Sequence, residues 1–181
     1  MALRDELGQT SVMVTADLVG RRDKMVDIIA KNAFEKYQLP RERLILNTSH
    51  NHSCPVTEDV LWIYYEFNEQ ERAAKDRYTQ LVYQRYDEVI AAALKDLKPA
   101  EISFEQGLAG FAVNRRRSRG PETRAFGGQV DQDVPVLVVK SDGQLRAVLF
   151  GYSCHTTALG GLSISGDYAG FAQIELEKQF P

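Results

Sequence analysis

The sequence predicts an α/β domain with a mixed β-sheet core flanked by helices, and three observations predict it. Ser11-Val-Met-Val-Thr-Ala-Asp17 and Leu44-Ile-Leu46 are apolar, β-rich runs separated by a segment of helical period, the order of a βαβ unit. Glu69 to Leu97 repeats apolar residues at helical spacing along its whole length. From Ile102 onward the chain turns β-rich, and Ser141-Asp-Gly-Gln144 is a strong hairpin signal.

Each element follows from its local pattern. Leu3 to Leu7 is the expected hairpin partner of the first strand, across Gly8-Gln9. Between Arg21 and Tyr37 the residues Met25, Ile28, Ile29, Ala33 and Phe34 define one apolar helix face, and Pro40 ends that helix. The crossover is expected to be right-handed. Asp17 and His50 then emerge at the carboxyl ends of adjacent parallel strands, where open α/β sheets place ligands. The long helix should turn Ala74, Tyr78, Leu81, Val82, Val89, Ile90, Ala93 and Leu97 inward, and Lys98-Pro99 stops it. Strands are expected over Ile102 to Val113, Val134 to Lys140 and Leu145 to Tyr152. Arg116 to Gln132 reads as a long polar loop, and Asp167 to Lys178 as a final helix.

The 181 residues suffice for one domain with a substantial core, so residues 1–181 are read as a single domain. Its abrupt ends suggest part of a larger catalytic domain. Apolar residues make up 44% and charged residues 26%, and the net charge of −3 gives no electrostatic case for nucleic acid. No run of 18 apolar residues is present, so no transmembrane segment is expected. Met1-Ala-Leu-Arg-Asp-Glu-Leu lacks the basic and apolar regions of a secretory signal; the chain reads as cytoplasmic, or as secreted if a leader precedes it. Two cysteines, Cys54 and Cys154, are too few for a disulfide scaffold and read as small buried thiols.

Chemistry concentrates at the histidines. The chain has three, His50, His52 and His155, and each follows an apolar strand. Imidazole is a borderline ligand suited to Zn2+, and strand ends hold ligands rigidly. In an extended segment His50 and His52 would point to one side, toward one site. The competing reading is that they are hydrogen-bonding loop residues. Ser49, Ser53 and Thr57 offer supporting donors and acceptors nearby. Arg115, directly after Gly110-Phe-Ala-Val-Asn114, suits a clamp on a carboxylate or oxyanion. The rest of its basic run, to Arg119, reads as a solvated loop, with a peripheral contact to anionic lipid headgroups left open. Asp17 ends a buried strand and needs a partner, whereas Asp167 reads as the cap of the last helix. No phosphate-binding loop, dinucleotide fingerprint or nucleophile elbow is present.

With these residues assembled, the chain resembles the amino-terminal catalytic domain of the neutral/alkaline, non-lysosomal ceramidase family. The family's Thr-His-Thr-His-Ser-Gly-Pro is similar to Ser49-His-Asn-His-Ser-Cys-Pro55, and its Asn-Arg-Ser-Pro to Asn114-Arg-Arg-Arg117. Its later histidine and Ser-Gly-Asp segment look like Tyr152-Ser-Cys-His155 and Ser165-Gly-Asp167. The resemblance covers roughly residues 10 to 181. It implies that His50 and His155 ligate zinc, that His52 contacts substrate or handles a proton, and that Arg115 helps hold the substrate. It implies hydrolysis of the amide of N-acylsphingosine, or a related lipid amide, by a zinc-activated water. The family's glutamate and tyrosine ligands, and a serine implicated in catalysis, come from sequence beyond the equivalent of Pro181, so the resemblance assigns none of them here. Cys54 stands where the family has glycine.

Two other readings compete. A metal-dependent amidohydrolase barrel also opens with His-x-His after a strand, but would need about 250 residues of repeated strand–helix units. A non-catalytic fragment that retains the fold and binds lipid or protein is the alternative from a different class.

Overall fold

Alternating burial along Thr10–Ala16 (β2) and Leu44–Thr48 (β3) sets the sheet on which the first half of the chain is built. Val12 and Val14 on β2, and Leu44 and Leu46 on β3, point to the same covered face, while Ile45 on the other face is exposed. The two strands pair in parallel, Val12 opposite Leu44 and Ala16 opposite Thr48. Ala2–Arg4 (β1) adds an antiparallel strand on the far side of β2, giving the order β1-β2-β3 and a mixed sheet. In a computed structural model that describes residues 1–114 and 128–180, the chain forms two compact units. One is Lys98–His155; the other is Met1–Leu97 together with the segment from Thr156 onward.

In the larger unit the crossover between β2 and β3 is helix Asp23–Tyr37 (α1), as the βαβ reading requires. It ends where Gln38 adopts a left-handed conformation (φ 54°) and the Leu39 amide reaches back to the Ala33 carbonyl, just before Pro40. Helix Glu69–Lys95 (α2) starts with a capping box: Asn68 Oδ1 accepts from the Glu71 amide and Glu71 Oε2 accepts from the Asn68 amide, both at 2.9 Å. Met25 and Ile29 of α1, Val82, Tyr86 and Ile90 of α2, and the covered face of β2 and β3 make one apolar cluster. The inner face of α2 differs from the expected one. Its buried residues are Thr79, Val82, Tyr86 and Ile90, whereas Leu81 is 42% and Val89 46% exposed. Steps of three and four from Thr79 keep one stripe against the sheet, and the apolar residues beside that stripe stay at its solvent border. The last helix, Asp167–Gln179 (α3), buries only Asp167 and Gly170.

The smaller unit is an antiparallel meander of Glu101–Leu108 (β4), Asp133–Ser141 (β5) and Gln144–Phe150 (β6), with β5 in the middle. The expected hairpin forms: Asp142 (φ 52°) and Gly143 (φ 76°) both take positive φ between the paired residues Ser141 and Gln144, the backbone of a type I′ turn. The first and last strands are shorter than expected. The β4 ladder runs out with Leu108 opposite Asp133, because β5 begins there and Asp131 Oδ1 caps the Asp133 amide. The chain from Gly110 to Asn114 is therefore irregular rather than a strand, with Phe111 against Tyr152 and the Tyr152 hydroxyl bridging the Ala112 amide and Ala109 carbonyl. Arg115, and all but the last residues of the loop expected over Arg116 to Gln132, lie outside the described residues. Among the described residues no helix is long and apolar enough to cross a membrane.

Two outcomes follow for stability. Ile90→Ala, at a nearly solvent-free site, should cost about 2–5 kcal/mol in urea unfolding. Leu81→Ala, on the open side of the same helix, should cost about 0.5 kcal/mol or less. At alkaline pH the Tyr83 phenol matters: burial, its hydrogen bond to Glu58 Oε1 (2.6 Å) and the Glu58 charge push its pKa well up. The folded chain keeps a proton that the unfolded chain releases near about pH 10, so this stabilisation is complete below that pH and is lost above it. Tyr83→Phe should flatten the fall in melting temperature above about pH 10.

Candidate metal centre

The β2–β3 ladder ends at Ala16 and Thr48, with one more rung from the Ser49 amide to the Ala16 carbonyl (3.1 Å). Both chains leave the sheet at one edge, as expected for the carboxyl ends of parallel strands. There Ser49 Oγ donates to Asp17 Oδ1 (2.9 Å), so the carboxylate expected to need a partner has one and is also exposed to solvent.

His50 does not continue the strand. Its φ of 53° is left-handed, a conformation that costs an L-residue about 1–2 kcal/mol. This turn, and not the pleat of an extended segment, brings His50 and His52 together. Their rings meet edge to face with centroids 5.0 Å apart, and the two Nε2 atoms are separated by 3.3 Å. Two nitrogens bound tetrahedrally to one zinc at about 2.0–2.1 Å would stand about 3.3–3.4 Å apart, so the pair already spans one edge of such a site.

The orientation of His50 has a clear cause. Its Nδ1 lies 2.6 Å from the Val19 carbonyl oxygen. A carbonyl only accepts, so Nδ1 carries a ring proton and donates it to Val19, which leaves Nε2 as the ligand nitrogen of the neutral ring. A carbonyl on the remote nitrogen is the usual device that fixes the tautomer of a metal-binding imidazole. His155 comes well past the end of β6 at Phe150, not at the strand end itself. It is bonded to Thr156, which is buried at the carboxyl edge of the first sheet: Thr156 Oγ1 donates to the Ser49 carbonyl (2.6 Å), and the His52 amide donates to the Thr156 carbonyl (3.4 Å). The ligand nitrogens of His50, His52 and His155 all lie within 4.8 Å of one another. Three neutral imidazoles make a donor set that fits zinc with a fourth position left for water or substrate.

Sequence reasoning missed the residues that hold the loop. Asn51, between the two histidines, has no solvent exposure; its Nδ2 donates to the Ser165 carbonyl and its Oδ1 accepts from the Ser53 amide (2.7 Å). The second bond is an Asx turn, which an asparagine two residues before a serine amide could have signalled. Nothing local signals Thr156 or the carbonyl of Val19. Cys54 is half-buried, accepts from the Val19 amide at 3.2 Å and donates to the Asn51 carbonyl at 3.1 Å. Burial pushes its thiol pKa up, against the opposing effect of the Val19 amide, which makes it a packing thiol and a poor nucleophile. Arg115, the expected substrate clamp, lies outside the described residues; the preceding Asn114 reaches the Gln129 carbonyl through Nδ2 (3.4 Å).

Asn51→Ala strips a buried amide and a part-buried carbonyl of their partner, so it should lower unfolding free energy by about 1–3 kcal/mol in urea titration. Comparison with known proteins attaches no family to this geometry: no family model, no curated protein and no solved structure matches the chain.

Proposed function

We propose that this chain carries a zinc site of a ceramidase-like amide hydrolase, acting on N-acylsphingosine or a related lipid amide. The observation that supports this reading is the grouping of His50, His52 and His155, with His50 held in the metal-ready tautomer by the Val19 carbonyl. His50 and His155 are the proposed ligands. His52, whose Nε2 is 3.3 Å from that of His50, is placed either to complete the ligand set or to hold a proton beside it. Bound zinc supplies Lewis acidity toward the amide carbonyl and lowers the pKa of a bound water. The Val19 carbonyl orients the His50 ring, and Thr156 ties the His52 backbone to the segment that follows His155. Arg115 is assigned to the substrate by the resemblance alone.

A second reading has an observation of its own. Trp62, Ile63, Tyr64 and Tyr65 are consecutive and 62, 66, 71 and 48% exposed, an apolar run that suits a non-catalytic lipid- or protein-binding module. Metal content separates the two. The hydrolase reading expects one zinc per chain after dialysis against trace zinc, and its loss in His50→Ala and in His155→Ala with folding retained by circular dichroism. In any preparation that cleaves an N-acylsphingosine, both variants should lose turnover. Full zinc content or full turnover in either variant would overturn the assignment.

A further inference from the structure

Resting on the metal reading above, we propose that the turn Ser165-Gly166-Asp167 positions both histidine loops of the zinc site. Asp167 is its positioning residue, and metal occupancy is coupled to the docking of α3.

Asp167 has no solvent exposure and a φ of 54°, unusual for a residue other than glycine. It is not a conventional helix cap, since α3 has no side-chain cap and Asp167 is its first residue. Its carboxylate instead gathers backbone amides. Oδ1 accepts from Ala158 (3.2 Å) and Tyr168 (2.7 Å), and Oδ2 from Leu159 (2.9 Å). Ala158 and Leu159 belong to the short segment that starts at Thr156, next to His155. A buried carboxylate must be met by donors, and donors to a charge are held more firmly than neutral pairs. Asp167 therefore fixes the segment from which His155 is presented.

The same turn grips the other loop. The Ser165 amide donates to the Ser53 carbonyl (2.9 Å), the Ser165 carbonyl accepts from Asn51, and Ser165 Oγ accepts from the Asp167 amide (3.1 Å). Asn51 and Ser53 flank His52, and Asn51 follows His50. Between these two grips sits Gly166. A Cβ there would meet Gly170 Cα at 2.8 Å and Asp17 Oδ2 at 3.1 Å, and Asp17 is the carboxylate bonded to Ser49. No side chain fits at this point.

The rest of α3 is buried only in part. Phe171 and Ile174 are exposed, and the helix buries only Asp167 and Gly170. The polar turn is its best-buried part, and an element with little fully buried apolar surface opens at low free energy. A metal that orders the histidine loops must then stabilise the turn and α3, and docking of α3 must raise metal affinity by the same factor.

Hydrogen exchange on the complete chain, with and without Zn2+, tests this without any substitution. Zinc should slow exchange of amides in 165–179, although α3 supplies no ligand. Asp167→Asn keeps the shape but removes acceptor capacity; it should weaken Co2+ binding, followed by the visible d–d band, by about 10–100-fold. Urea unfolding of the apolar core in the same variant should move little. Gly166→Ala should act in the same direction. If wild type binds zinc while exchange in 165–179 is unchanged and Asp167→Asn binds Co2+ as wild type does, the coupling is refuted and the metal reading stands. If wild type binds neither ion, both are refuted.

Discussion

When the parallel ladder of β2 and β3 stops at Ala16 and Thr48, the chain keeps its buried polar backbone but loses the sheet that satisfied it. Everything at the candidate site answers that constraint. Ser49 gives its amide to Ala16 and receives the Thr156 hydroxyl at its carbonyl. Asn51 closes on Ser53 and reaches Ser165, and the Ser53 carbonyl takes the Ser165 amide. Buried amides and carbonyls without partners are costly, so each of these bonds favours the loop conformation seen.

That conformation sets where the imidazoles of His50 and His52 stand. A left-handed residue at His50 is a local cost, sustained because the neighbouring Asn51 is fully buried and bonded. With it the Nε2 atoms of the two imidazoles stand 3.3 Å apart. Side chains held in place by backbone contacts lose little freedom on binding, which under the metal reading favours affinity. Cys54 belongs to the same arrangement, since it holds the amide of Val19 while the carbonyl of Val19 holds His50.

Apolar and polar forces divide the labour in the larger unit. Burial of Met25, Val12, Leu44 and Ile90 fixes sheet against helices, at roughly 1.5–3 kcal/mol for each large side chain removed from water. Around the sheet's carboxyl edge the fixing is done by hydrogen bonds, which also hold Asp167, the first residue of α3. The amide-hydrolase reading draws on the second kind of order, and the exposed Trp62–Tyr65 run stands outside both.

Much of the fold was legible from short-range pattern. The β2–α1–β3 order, the start of α2, the Asp142-Gly143 turn and α3 all follow from periods of two or 3.6 and from local turn chemistry, which act among neighbours. The three histidines could be picked out as candidates because strand-following imidazoles are chemically conspicuous. The extended geometry expected for His50, the capping role expected of Asp167 and the inner face of α2 were not legible, since local pattern admits several answers and tertiary contacts choose. Thr156 meets Ser49 across 107 residues of sequence, and Asn51 meets Ser165 across 114. Residue identity alone determined which side chains could bind a metal. Only long-range satisfaction of buried polar groups decided how the loop carrying His50 and His52 closes, because no local rule specifies which distant carbonyl a buried amide will find.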